Sequence, residues 1–273
     1  MNFVLPHIPE RGKKPRNEGL TMVMDKGLSI IETEGFVQAC SEITDFVKLG
    51  FGTSAVTNRL EDKLDIYRKA GIRPYFGGTL FEAFAIRNMV DDYRKLVDKY
   101  KIDLIEISDG SMSMEHEDKL KYIRLLSKQA TVISEVGSKQ KGVFIPANAW
   151  VDMMKSELQA GSYKVIAEAR ESGTIGIYNS DGSANENLIN TISTNIKPSD
   201  IIWEAPDGKQ QVWFIKLFGY SVNLGNIAPN IVIPLECLRL GLRGDTFLDF
   251  LPKEMKSQKQ KPFDHLPNQD FQI

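Results

Sequence analysis

Charged residues in this chain recur at one kind of place, just after short apolar runs. Asp25, Lys26 and Gly27 follow one such run, and Lys48, Gly50 and Gly52 surround the end of the next. Gly77, Gly78 and Thr79 come after a third, then Glu106, Ser108, Asp109 and Gly110. Glu135, Gly137 and Lys139, then Glu168, Arg170 and Glu171, then Glu204, continue the series, and Asn223, Gly225 and Asn226 close it. If Glu106, Glu135, Glu168 and Glu204 converge, their chemistry is that of a hard divalent cation. Mg2+ fits best, because it takes oxygen ligands and keeps waters that substrate oxygens can replace. The plainer alternative is a ring of ion pairs with Lys48 and Arg170. The cations in turn suit an anionic substrate, since guanidinium matches phosphate and carboxylate bidentately and lysine offers a compact charge able to move a proton. Glycines that precede helices can present backbone N–H groups to phosphate. Gly225 and Asn226, with Arg239, Arg243 and Gly244 of LRLGLRGDTF, are candidates for such a seat.

The elements that must position these residues alternate. Strands are expected at residues 20–24, 44–49, 73–76, 103–107, 131–134, 164–167, 200–203 and, more weakly, 221–224. Helical runs lie between them, which implies parallel βαβ units. Eight such units suggest an α/β protein with a single (βα)8 (TIM) barrel, where charged residues at the C-terminal strand ends gather at one mouth. A flat doubly wound sheet would also alternate, but no G-x-G-x-x-G follows the first strand. In AVTNRLEDKLDIYRKAG, Val56, Leu60, Leu64 and Tyr67 recur at helical spacing, with Gly71 as the stop. Thr79 and Glu82 have the spacing of a capping box. Leu120, Ile123 and Leu126 form an apolar stripe. Residues 1–250 are assigned to the barrel and 251–273 to a polar tail of flexible composition.

Composition narrows the classes. Lys plus Arg is 34 and Asp plus Glu 36, for a net charge of −2, so bulk charge favours neither nucleic acid nor a membrane surface. No run is long and apolar enough to span a bilayer, and MNFVLPHIPERGKKPR has no apolar signal core, so a cytoplasmic protein is expected. Cys40 and Cys237 form no C-x-x-C pair and read as structural thiols. His7, His116 and His265 have no obvious partners, which argues against zinc.

With these residues in place, the sequence resembles the phosphosulfolactate synthase family. The segments that carry the resemblance are KPRNEGLTMVMDKG, VKLGFGTS, PYFGGTLFE, IEISDGS, SEVGSK, IAEARESG, IWEAP, VNLGNI and LRLGLRGDTF, spanning residues 14–247 in this order. The resemblance implies a (βα)8 barrel, dependence on Mg2+, and condensation of phosphoenolpyruvate with sulfite to (2R)-phospho-3-sulfolactate. In methanogens that product leads to coenzyme M, and other members serve sulfolactate production. Some relatives assemble as trimers, so a homo-oligomer is an expectation. The family's favoured proton donor is a lysine directly after the SEVG segment. Here Ser138 stands in that place and Lys139 follows, which leaves Lys48 as a competing donor. The catalytic set expected is therefore Lys48, Lys139 and Arg170. The substrate set is Arg16, Lys26, Asn223, Gly225, Asn226 and Arg243, and the metal set is Glu106, Glu135, Glu168 and Glu204. Two other readings share these features: a different Mg2+-dependent lyase or aldolase acting on a phosphorylated enol acid, and a barrel kept as a binding or stress-protection protein.

Overall fold

The computed structural model describes residues 4–138, 145–170 and 172–256. Eight parallel strands alternate with helices: β1 (Thr21–Asp25), β2 (Phe46–Leu49), β3 (Arg73–Phe76), β4 (Leu104–Ile107), β5 (Thr131–Val136), β6 (Ser162–Ala167), β7 (Ile201–Glu204) and β8 (Leu224–Ile227). They pair in the order β3-β2-β1-β8-β7-β6-β5-β4, so β1 meets β8 and the sheet curls into a (βα)8 barrel. No backbone ladder joins β3 to β4 among the described residues. Side chains bridge that seam instead: Tyr75 Oη donates to Glu106 at 3.1 Å and Arg73 to the Asp103 carbonyl at 2.8 Å.

The strands are buried on both faces, as an all-parallel barrel requires. Period-two alternation puts Phe46 with Lys48, Leu104 with Glu106, Ile133 with Glu135, and Ile202 with Glu204 on the inner face. The residues between them pack outward. Trp203 stacks on Phe214 and Phe218, with ring centroids 5.1 and 5.5 Å apart.

The first seven strands fall within two residues of their expected positions, but β8 lies three residues later than the run 221–224. The reason is a bulge. Pairing advances from Thr21↔Leu224 to Val23↔Ile227, which inserts one extra residue on β8. Gly225 and Asn226, residue types poor in strands, occupy it, and Asn226 takes a left-handed φ of 58°. A side chain at 225 would come within 2.9 Å of Ile202 Cγ2, so the glycine serves the barrel wall.

The helices are α1 (Ile30–Cys40), α2 (Leu60–Lys69), α3 (Gly78–Ala85), α4 (Val90–Lys99), α5 (His116–Leu126), α6 (Ala147–Ala160), α7 (Glu186–Asn195), α8 (Gly208–Phe218), α9 (Val232–Arg239) and the single turn α10 (Lys253–Lys256). Leu64, Tyr67, Leu120, Ile123 and Leu126 are buried on α2 and α5 as the stripes predict. Val56 lies outside α2 and is exposed, since that helix begins four residues later. Thr79 and Glu82 form no capping box: Gly77 caps α3, and the buried Glu82 carboxylate accepts from Ser108 Oγ and from the Ser111 N–H. Tail residues 257–273 lie outside the described residues.

Basic residues close the floor at the N-terminal strand ends. Arg16 pairs with Asp45 at 2.8 Å, and the other Asp45 oxygen accepts from Thr21 N–H at 2.9 Å. Arg239 is fully buried and donates to the carbonyls of Val222 at 2.7 Å and Leu20 at 3.2 Å. Asn223 bridges Leu20 N–H and the Ile201 carbonyl, each at 3.0 Å.

Candidate active site

The opposite end of the barrel holds a cavity of about 460 Å³. Its walls include Met24 from β1, Lys48 from β2, Glu135 from β5, Glu204 from β7 and Asn226 from the β8 bulge. Phe51, Thr79, Ser111, Glu168 and Arg170 reach it from the loops and helix starts that follow the strands.

Lys48 occupies the centre. Its Nζ lies 2.8 Å from Glu106, 3.2 Å from Glu135 and 3.6 Å from Glu204. Burial alone would push this ammonium to shed its proton, but Glu106, Glu135 and Glu204 outweigh it, so the pKa rises well above the ordinary lysine value. Lys48 is thus a fixed cation at neutral pH.

Glu106, expected as a metal ligand, has a different task. One oxygen accepts from Gly78 N–H at 2.7 Å and holds Lys48, while the other accepts from Tyr75. It is fully buried and does not line the cavity. Alanine at 78 would bring its Cβ within 2.8 Å of that Glu106 oxygen and 2.7 Å of Ser108 Cβ. Gly78 therefore permits close packing. Burial first, then the Glu106 charge, raises the Tyr75 pKa well above normal, which keeps Tyr75 a neutral donor.

Glu135, Glu168 and Glu204 do converge. An oxygen from each lies within 4.8 Å of the others, and all three are buried. The donor set suits Mg2+: it is all oxygen and opens on a cavity with room for substrate. Charge points the same way: Lys48 reaches Glu106, Glu135 and Glu204, and Glu168 closes the same cluster. Carboxylates packed so closely repel one another unless a cation joins them.

The segment after β6 is shaped to hold Glu168. It folds back through bridges Ala169↔Gly176 and Tyr178↔Ala184. Ala169 N–H donates to Glu204 at 2.9 Å, Tyr178 Oη to the Glu204 carbonyl at 2.7 Å, and Asn226 to the Ala169 carbonyl at 3.3 Å. Gly137 adopts φ 141°, and a Cβ there would sit 3.0 Å from Glu168 Cγ and 2.7 Å from Trp150. The glycine of the SEVG segment thus makes room for a carboxylate. Arg170 is exposed on the rim and lines the cavity.

Sequence reasoning thus placed Lys48, Glu135, Glu168, Arg170, Glu204 and Asn226 at one cavity. Several substrate candidates need correction. Arg16 and Asn223 belong to the floor, at the other end of the barrel. Gly225 belongs to the wall. Arg243 is half-exposed on the outside, paired with Asp245 at 3.0 Å, and Arg239 is buried in the floor. None of these five lines the cavity. Lys26 is exposed after β1 and also outside the lining. Lys139 and Glu171 lie outside the described residues. Tyr75, Ser111 and Phe51 were missed, although alternation from Arg73 would have placed Tyr75 on the inner face.

The floor placement has a direct check. Arg16→Ala should leave turnover within about twofold, yet cost about 3 kcal/mol of stability because it strands the buried Asp45. A large loss of turnover in a variant with an unchanged melting temperature would put Arg16 back at the site.

Comparison with known proteins agrees with this architecture. The family model for (2R)-phospho-3-sulfolactate synthase (ComA) matches residues 9–245. The phosphosulfolactate synthase of Methanocaldococcus jannaschii is 40% identical over 235 residues, 84% of this chain and 94% of that protein. Those of Methanothermobacter thermautotrophicus and Bacillus subtilis are each 38% identical, covering 87% and 90% of this chain and 95% and 99% of their own lengths. Among solved structures, 3-hexulose-6-phosphate synthase from Salmonella typhimurium superposes with a TM-score of 0.53 at 11% identity, over 82% of this chain and all of that one. That likeness concerns the barrel fold. The extent of the match along the sequence, with the carboxylate-and-lysine mouth in the fold it requires, makes this chain a member of the phosphosulfolactate synthase family.

Proposed function

We propose that this enzyme joins sulfite to phosphoenolpyruvate, giving (2R)-phospho-3-sulfolactate, with Mg2+ held by Glu135, Glu168 and Glu204. The observation that carries the reading is the position of Lys48, a buried ammonium within 3.6 Å of Glu204 and 3.2 Å of Glu135, facing a cavity open to solvent. In the reaction the sulfite sulfur lone pair forms a C–S bond to the methylene carbon. The alkene electrons move onto the substrate carboxylate, and a proton then arrives at the adjacent carbon. Bound Mg2+ supplies Lewis-acid stabilisation of the charge that develops on that carboxylate.

The chain's own groups do the rest. Both reactants are anions and repel each other, so fixed cations must hold them at contact distance. Lys48 supplies one inside the cavity and Arg170 another at the rim. Glu106 keeps the Lys48 ammonium aimed, and Tyr75 holds Glu106 from behind. Lys48 is one candidate to deliver the proton, and Lys139 the other. A cytoplasmic setting accords with two free cysteines. A homo-oligomer, such as a trimer, belongs to the same proposal and is read from solution mass.

The test is incubation of purified protein with phosphoenolpyruvate, sulfite and Mg2+, followed by mass spectrometry for the sulfonated phosphoester. The product should form only with all three, and EDTA should abolish it. Turnover of phosphoenolpyruvate that ignores sulfite would point instead to a lyase or aldolase on a phosphorylated enol acid.

A further inference from the structure

A second buried lysine lies behind the cavity wall. Lys119, in the first turns of α5, is 1% exposed. Its Nζ makes contacts in three directions: 2.9 Å to Asp109, 2.8 Å to Glu157 of α6, and 2.6 Å to the backbone carbonyl of Glu135. Two of these are hydrogen bonds, to Asp109 and to the Glu135 carbonyl, and Glu157 adds an ion pair.

The carbonyl contact bears on the site. β4 ends at Ile107, opposite Ser134, so no ladder residue lies beside Glu135 on that side. The next carbonyl, of Val136, faces the other way and accepts from Glu168 N–H at 3.0 Å. A buried carbonyl needs a donor, and here Lys119 stands where a β4 residue would otherwise be. Its other two contacts tie that point to the segment after β4, through Asp109, and to α6, through Glu157. Burial raises the Glu157 pKa and the Lys119 charge opposes the rise.

We infer that Lys119 is a positioning residue: by holding the Glu135 carbonyl together with Asp109 and Glu157, it sets the Glu135 side chain in register with Glu168 and Glu204 for a divalent cation. This rests on the metal reading given above. Lys63 provides a natural contrast. It is equally buried, pairs with Asp25 at 2.6 Å and donates to the Leu28 carbonyl at 2.6 Å, but contacts none of the three carboxylates.

The test measures Mn2+ binding by calorimetry, with no substrate present, alongside thermal melting. Two variants probe Lys119. Lys119→Met combined with Glu157→Gln removes a cation and an anion together, which favours a folded product. Lys119→Arg keeps the charge, but its planar fork cannot reproduce the three-way geometry. Either folded variant should bind Mn2+ about ten- to a hundredfold more weakly, as loss of an outer support does at metal sites. Lys63→Met should lower the melting temperature yet bind Mn2+ within about twofold of the parent, the range that unrelated destabilisation leaves untouched. Parent-like Mn2+ affinity in either folded Lys119 variant overturns the inference while leaving the metal site standing. Absence of Mn2+ binding by the unsubstituted protein overturns both readings together.

Discussion

Lys48→Met should reduce turnover of phosphoenolpyruvate and sulfite by about a hundred- to a thousandfold, the usual effect of deleting one preorganised donor at a developing charge. The expectation follows from geometry. The Lys48 ammonium lies within hydrogen-bond reach of Glu106 and Glu135 and close to Glu204. No other buried cation among the described residues lines the cavity. The same variant should lose about 3–5 kcal/mol of stability, because the fully buried Glu106 carboxylate loses its paired cation. Added Mg2+ should recover part of that loss, which a thermal melt with and without the ion would detect. The pH dependence has a definite sign. The folded-state pKa lies above the ordinary lysine value, so this stabilisation is complete below about pH 10 and disappears only as pH rises through the folded-state value. Any fall in activity near neutrality must then come from another group. Near-normal turnover by folded Lys48→Met would take this residue out of the mechanism.

Glu168→Gln and Glu204→Gln should raise the Mg2+ concentration needed for half-maximal activity by at least about a hundredfold, or leave no Mg2+-stimulated turnover. Each removes a charged oxygen from a three-carboxylate set of hard ligands. Glu106→Gln is the informative contrast. Its oxygens serve Lys48, Gly78 and Tyr75, so it should lower turnover through misplaced Lys48 while the Mg2+ requirement stays the same. Metal titrations of the three variants at saturating substrate separate the roles. An unaltered Mg2+ requirement in both Glu168→Gln and Glu204→Gln would refute the ligand assignment.

The barrel was legible because its signal repeats. Eight apolar runs separated by helical stretches leave few arrangements, and charged residues after each run marked the mouth. What alternation could not give was the difference between a carboxylate that opens on the cavity and one consumed behind it. Glu106 and Glu135 are each the penultimate residue of a strand, but Glu106 pairs with Ile133, two residues short of Glu135, and is held by Tyr75 and Gly78. The β8 error had a local origin. Gly and Asn read as turn formers, whereas here a bulge uses both inside a strand, and the shift carried Asn223 from the expected mouth to the floor. Arg16, Arg239 and Arg243 failed for a similar reason. Guanidinium groups suited to phosphate are equally suited to backbone carbonyls and surface carboxylates, and spacing does not tell these apart. The buried lysines Lys63 and Lys119 left no trace in hydropathy, since each reads as the polar face of an amphipathic helix.

The seam between β3 and β4 has a consequence of its own. Every other junction of the wall is stitched by peptide groups, which any residue supplies; this one relies on Glu106, Tyr75 and Arg73. The carboxylate that aims Lys48 is therefore also a rivet. Variation at position 106 faces two demands at once, so the catalytic apparatus and the integrity of the cylinder are inherited as a unit.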